Sequence, residues 1–219
     1  MSRPLRIEYE GAWYHVMNRG RRSERIFGGR NDYEMFIDLL KDAIELWNIQ
    51  ISAYCLMSNH YHLLIHTPKG NLSRSMRHIN GVYTQRFNRT HGLDGQLFRG
   101  RYKSIIVDGD SYLLQLVRYI HRNPLRAGVA DSMSAYPWSS HNGYLSSNKK
   151  WRWLHKNFIF SLLSSSRKGK LKAYKEFMDV EDSKDITKEF EGVKRPIAFG
   201  DEKLIRWLKR KFFVNNLSP

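Results

Sequence analysis

The apolar positions of this chain change period several times, and each change marks an element. From Trp13 to Met17, WYHVM is a short apolar run of strand type, followed by a basic, glycine-bearing loop, NRGRRSERIFGG. In NDYEMFIDLLKDAIELWN the apolar residues Tyr33, Phe36, Leu40, Ala43, Ile44 and Trp47 recur at helical spacing, which predicts a helix capped by Asn31 or Asp32. Residues 50–57 and 61–67 predict two strands joined through Ser58-Asn59 as a hairpin. Asn71 is then expected to cap a second helix. Its apolar stripe is Leu72, Met76, Ile79, Tyr83 and Phe87, with Arg74, Arg77, Arg86 and Arg89 largely elsewhere. RYKSIIVDG predicts a fourth strand, and DSYLLQLVRYIHR a third helix capped by Asp110. The order strand, helix, strand, strand, helix, strand, helix lacks sustained βαβ alternation. It predicts an α+β domain of ferredoxin-like type, an antiparallel or mixed sheet with helices on one face.

After residue 130 the pattern loosens. SSHNGYLSSNKK and SLLSSSRKGK are rich in Ser, Gly, Asn and Lys and read as loops between short helical pieces. GDEKLIRWLKRKFF returns to helical spacing through Leu204, Trp207, Leu208 and Phe212, with Asp201 as its cap. Two units are expected: a principal domain over residues 1–149 and a small basic helical extension over 150–219.

Charge changes the picture most. Lys and Arg number 37 against 21 Asp and Glu, a net +16 with a pI near 10.0, so a polyanion is the natural partner. Residues 1–149 hold 16 Arg and 4 Lys, while 150–219 hold 5 Arg and 12 Lys. Arginine grips phosphate in a planar fork and stacks on bases, so the first unit is suited to defined nucleic-acid contacts and the second to diffuse attraction. No apolar run approaches a membrane span and no signal-peptide pattern opens the chain, so no membrane partner and a cytoplasmic location are expected. Cys55, the single cysteine, is expected to pack as a small buried hydrophobe.

Two strings carry candidate chemistry, SNHYHLLIHT and RYIHRNPLRAG. In a strand, His60 and His62 point the same way, with His66 able to extend or replace the pair. A lone pair of this kind is commonly two ordinary strand histidines. Neutral imidazoles and an amide oxygen together suit a divalent cation such as magnesium or manganese. Asn123 lies one helical turn from Tyr119 and offers that oxygen. The helical wheel puts Leu113, Leu116, Val117 and Ile120 on the buried face and Tyr119 on the rim, with its hydroxyl reaching solvent. Pro124 disfavours helical geometry at the residue before it, so the helix is expected to end there and displace Asn123. Free tyrosine, with a pKa of about 10, is protonated at neutral pH, so attack on a phosphodiester needs help from a cation on the scissile phosphate.

WYHVMNRG, AYCLMSNHYHLLI, LFRGRYKS, YLLQLVRYIHRNPLRAG and YPWSS, in that order over about residues 11–140, resemble the single-tyrosine HUH transposases, and most closely the REP-associated tyrosine transposases. The resemblance implies His60 and His62 as paired metal ligands, Asn123 as the third, and Tyr119 as nucleophile. It implies a transesterase that nicks and rejoins single-stranded DNA beside palindromic hairpin repeats through a 5′-phosphotyrosine, using Mg2+ or Mn2+ and no ATP. It also implies a bacterial, nucleoid-associated setting and a monomer or homodimer. Arg19, Arg21, Arg22, Arg99, Arg101 and Lys103, with Arg118 and Arg122 beside the tyrosine, are the expected DNA contacts. Two other classes share these features: a non-catalytic hairpin-binding protein acting in repression or chromosome organisation, and a metal-dependent RNA nuclease that uses water in place of Tyr119.

Overall fold

A computed structural model describes residues 6–166, 168–181 and 198–212, with Thr187, Phe190 and Pro196 singly. Strand β1 (Ala12–Arg19) lies between β3 (His60–Thr67) and β4 (Lys103–Val107), antiparallel to both. Strand β2 (Gln50–Met57) pairs with the outer side of β3, and β5 (Ala198–Phe199) joins β4 in parallel. The sheet order is β2-β3-β1-β4-β5, and with its helices this is the expected α+β class with a mixed sheet. The two-residue β5 was not foreseen. It arises from PIAFG, so the basic extension adds an edge strand as well as helices.

Register sorts the side chains. Asn18 lies opposite Tyr61 and Met17 opposite His62. Tyr61, Leu63 and Val16 therefore share one face, while His15, Met17, His60 and His62 share the other. On the first face lie α1 (Arg30–Trp47) and α2 (Leu72–His91): the Phe36 ring is 5.0 Å from that of Tyr61, and the Tyr61 hydroxyl donates to Asn80 at 2.8 Å. The opposite face carries α3 (Asp110–Arg126). Helices on one face thus describes α1 and α2 alone. The stripe of Leu113, Leu116, Val117 and Ile120 is buried, as are Ala53, Cys55, Leu64 and Ile105 on the sheet face opposing it. Leaving either in water would forfeit roughly 1.5–3 kcal/mol per large side chain.

The helix ends show how local chemistry sets their limits. The N-cap of α1 is Gly29, and Asp32 acts from inside the first turn, accepting the Gly28 and Gly29 amides at 2.7 and 3.1 Å. Asn71 precedes α2 as expected, yet its side chain donates to the Trp47 carbonyl at 2.7 Å and so ties the two helices together. The N-cap of α3 is Gly109, with Asp110 its first residue.

Pro124 does not end α3. The helix continues to Arg126 and stops in a Schellman turn, in which Gly128, at φ 63°, donates to the Leu125 carbonyl and Val129 to that of Pro124. Asn123 therefore keeps its place one turn beyond Tyr119.

Beyond α3, residues 138–140 run against the outer edge of β2. The Leu56 amide donates to Trp138 and the Ser140 amide to Tyr54, at 2.9 and 3.0 Å. This covers an edge that would otherwise offer unpaired backbone groups. Helix α4 (His141–Leu145) interrupts a stretch expected to be loop; α5 (Asn157–Leu163), α6 (Lys170–Asp179) and α7 (Glu202–Phe212) follow. Asp201 caps α7 as expected, accepting the Leu204 amide at 2.8 Å. Cys55 is buried, and among the described residues no helix is long and apolar enough to cross a membrane.

Candidate active site

Where β1 ends and β3 begins, strand alternation places two expected histidines on the face that α3 crosses. The His60 and His62 rings are 5.1 Å apart and nearly perpendicular. The Tyr119 ring meets His62 edge-on at 5.6 Å, and the Asn123 side chain borders His60. Helix and hairpin thus bring His60, His62, Tyr119 and Asn123 together. His66 is elsewhere, bonded to Gln50 at 2.8 Å and stacked on Trp13.

Each histidine of the pair has its Nδ1 engaged. Nδ1 of His60 lies 2.7 Å from Oδ1 of Asn59, and Nδ1 of His62 lies 2.9 Å from Nε2 of His15. A carbonyl on Nδ1 fixes the ring of a ligating imidazole and makes Nε2 its donor atom. Burial, with Arg19 adding to it, pushes the His60 pKa down to about 4, so the ring is the neutral species that a metal requires. Among the described residues no group of three His, Cys, Asp or Glu side chains is placed to hold a metal. His60, His62 and Asn123 bring two imidazoles and an amide oxygen to one place, and donors of these types suit a hard or borderline ion with open positions.

Tyr119 departs from its expected position on an open rim, being only 2% exposed. Its ring is enclosed by His15 at 5.9 Å, by His62, and by Phe190 at 4.9 Å. The Arg126 guanidinium lies 4.0 Å over it and donates to the Tyr119 carbonyl at 2.8 Å. His15, Arg126 and Phe190 are the members that sequence reasoning missed. The register that brings His15 to His62, and the return of Phe190 from a distant segment, have no local signature.

The expected DNA contacts divide into two groups. Arg19, Arg21, Arg22, Arg99, Arg101 and Lys103 are all exposed. Backbone pairing gathers them: Arg21 donates to the Leu97 carbonyl at 3.0 Å, Arg99 to that of Arg19 at 2.9 Å, and Gly20 to that of Asn59 at 2.8 Å. Arg19 lies opposite His60 and Lys103 opposite Met17, so this basic rim adjoins the histidine pair. Arg22 and Ser23, both exposed, sit in left-handed backbone geometry at φ 52° and 66°. Arg118 and Arg122 are turned away instead. Arg118 donates to the Phe177 carbonyl and stacks on its ring, and Arg122 donates to that of Met178 at 3.0 Å. Those carbonyls belong to the last turn of α6, which attracts cations.

The mixed sheet with its helices is a fold that a solved structure shares. The structure of a REP-associated tyrosine transposase bound to a REP hairpin is similar at TM-score 0.56 and 20% identity, covering 66% of this chain and 86% of that one. A transposase structure from Deinococcus radiodurans R1 is similar at TM-score 0.39 and 18% identity, covering 56% of this chain and 97% of that one. Residues 8–123, just over half of the chain, match the family described as IS200-like transposases, and the chain belongs to that family. No protein of curated function matches it.

Proposed function

We propose that this protein is a metal-dependent transesterase that nicks and rejoins single-stranded DNA beside palindromic hairpins, with Tyr119 as nucleophile. The observation that carries the reading is the edge-on meeting of Tyr119 with His62, while Asn123, one turn further along the same helix, borders His60. A helix-borne phenol set against a cation-ready pair suits attack on a phosphodiester. Membership of a transposase family and the fold shared with a hairpin-bound relative support the DNA partner.

His60, His62 and Asn123 would hold Mg2+ or Mn2+, which when bound polarises the scissile phosphate and draws charge from the departing oxygen. The chain's own residues do the rest. The Tyr119 oxygen gives up its proton to solvent and bonds to phosphorus, the bond from phosphorus to the 3′-oxygen breaks, that oxygen takes up a proton, and a 5′-phosphotyrosine and a 3′-hydroxyl result. Rejoining reverses the step and needs no ATP, because the phosphodiester energy is kept in the protein–DNA bond. Arg126 positions the ring from behind, and the basic rim holds the strand by its phosphates. The ring's enclosure has to open for a phosphodiester to reach it. Tyr119→Phe is expected to bind a DNA hairpin with wild-type affinity and to leave it uncut; wild-type cleavage by that variant would exclude the tyrosine mechanism.

A further inference from the structure

The outward face of α2 breaks three local rules, and the one return inside the molecule among the described residues is the Arg74 guanidinium, 4.4 Å over the Trp47 ring. The helix has four arginines and no acidic residue, although α1 beside it carries Glu34, Asp38, Asp42 and Glu45. Among the described residues none of the four arginines forms an ion pair. Arg74 with Arg77, and Arg86 with Arg89, are like charges three positions apart, a spacing that makes helical neighbours repel. Midway stands Gly81, exposed and helical, and a Cβ built there meets nothing within 4 Å. Neither close packing nor an unusual backbone angle asks for glycine, the residue second only to proline in weakening a helix interior. Rules broken together on one surface point outward, to something that approaches it.

Arg74, Arg77, Gly81, Gln85 and Arg89 are all exposed and follow one another at intervals of three and four, so they form one stripe. Its fifteen-residue rise is about 22 Å, well over half of a B-DNA turn of about 34 Å. Arginines at the two ends with a residue lacking a side chain between them suit a sugar–phosphate backbone drawn close to the helix. The stripe also joins the basic rim. Helix α2 ends at Gly92, Asn88 holds the Gly95 carbonyl at 3.0 Å, and the same loop then supplies Arg99 and Arg101.

We propose that this stripe is the docking surface for the duplex stem of a DNA hairpin, with Gly81 as the point of closest backbone approach. The proposal rests on the reading above and divides the substrate between two surfaces. The stem lies on α2, and the unpaired strand runs over the rim to Tyr119 on the other face of the sheet.

The test is equilibrium binding of a fluorescent DNA hairpin, and of an unstructured single strand of the same composition, across a range of salt concentrations. Arg77→Gln with Arg89→Gln is expected to lower the hairpin's log–log salt slope by about 1.8, at about 0.9 per lost phosphate contact, and to leave single-strand binding near wild type. Gly81→Gln is expected to raise the melting temperature, since glutamine is the better helix former, and yet to weaken hairpin binding. Wild-type hairpin affinity and slope in both variants would overturn the stem surface and leave the Tyr119 chemistry standing. Equal losses on hairpin and single strand would overturn the assignment to a stem. Failure of the unaltered protein to bind any hairpin would overturn this surface and the function proposed above together.

Discussion

Replacing Ser140 by alanine is expected to cost far more than one surface hydroxyl, because its Oγ is where α3 is tied to β2. Ser140 is fully buried; its Oγ accepts the Tyr54 amide at 2.8 Å and lies 2.7 Å from Nε2 of His121 and 3.3 Å from the Tyr54 carbonyl. Nδ1 of His121 lies 2.9 Å from the Tyr174 hydroxyl, which lies 2.8 Å from Nδ1 of His141. Every group is satisfied when His141 donates to Tyr174, Tyr174 to His121, His121 to Ser140, and Ser140 to the Tyr54 carbonyl. Burial drives the pKa of His121 well below its ordinary value, as this neutral chain requires. Alanine leaves two buried donors without an acceptor, the Tyr54 amide and the His121 Nε2 hydrogen. At roughly 1–3 kcal/mol for each orphaned group, the loss is about 4 kcal/mol. Urea unfolding of wild type, Ser140→Ala, Tyr174→Phe and the double variant measures it. A coupling of about 0.5–3 kcal/mol between the two sites is expected from a shared network. A loss under about 1 kcal/mol with additive effects would refute the chain of bonds and its role in seating the helix that carries Tyr119 and Asn123.

Three further outcomes follow from other contacts. His141 is buried and its pKa is pushed down to about 4, so between about pH 6.5 and 4 the unfolded chain binds the extra proton and the folded chain does not. The contribution of His141 to stability is full above about pH 6.5 and falls on acidification by up to about 1.4 kcal/mol per pH unit; an unchanged urea midpoint across this window would count against it, and His141→Gln should reduce the slope while His60 and His121 keep theirs. Arg126→Met removes the cation over the Tyr119 ring, and hairpin cleavage should slow while hairpin binding stays at wild-type affinity; parallel losses in both would place Arg126 in binding. Asn123→Ala and His60→Ala should each demand more Mn2+ for half-maximal cleavage, and a titration superimposable on wild type would remove the residue from the ligand set.

Local signals were legible in the chain wherever a periodic apolar stripe or a turn dipeptide stood alone. The hairpin through Ser58-Asn59, the two long helices on the first face and the cap at Asp201 all lie where the pattern put them. The pair His60 and His62 and the one-turn spacing of Tyr119 and Asn123 were readable because they depend on strand and helix periodicity alone. What depends on the rest of the molecule was not. Pro124 looked like a stop, but the Schellman turn at Gly128 holds the last turn of the helix in place. Arg118 and Arg122 looked like DNA contacts because their local sequence is basic, and only the approach of α6 shows where their guanidinium groups go. YPWSS read as part of a resemblance, and its physical task, covering the β2 edge and anchoring His121, needs the fold to be seen.

The most direct test of the central claim is to incubate the protein with end-labelled single-stranded DNA carrying a hairpin repeat, in Mn2+ or Mg2+. The products are then resolved under denaturing conditions, and the modified peptide is mapped by mass spectrometry. A denaturation-resistant protein–DNA species, with the phosphate on Tyr119 and absent from Tyr119→Phe, is the predicted result. Nicking of the bound hairpin with no covalent species, in wild type and variant alike, would contradict the account and show water to be the nucleophile.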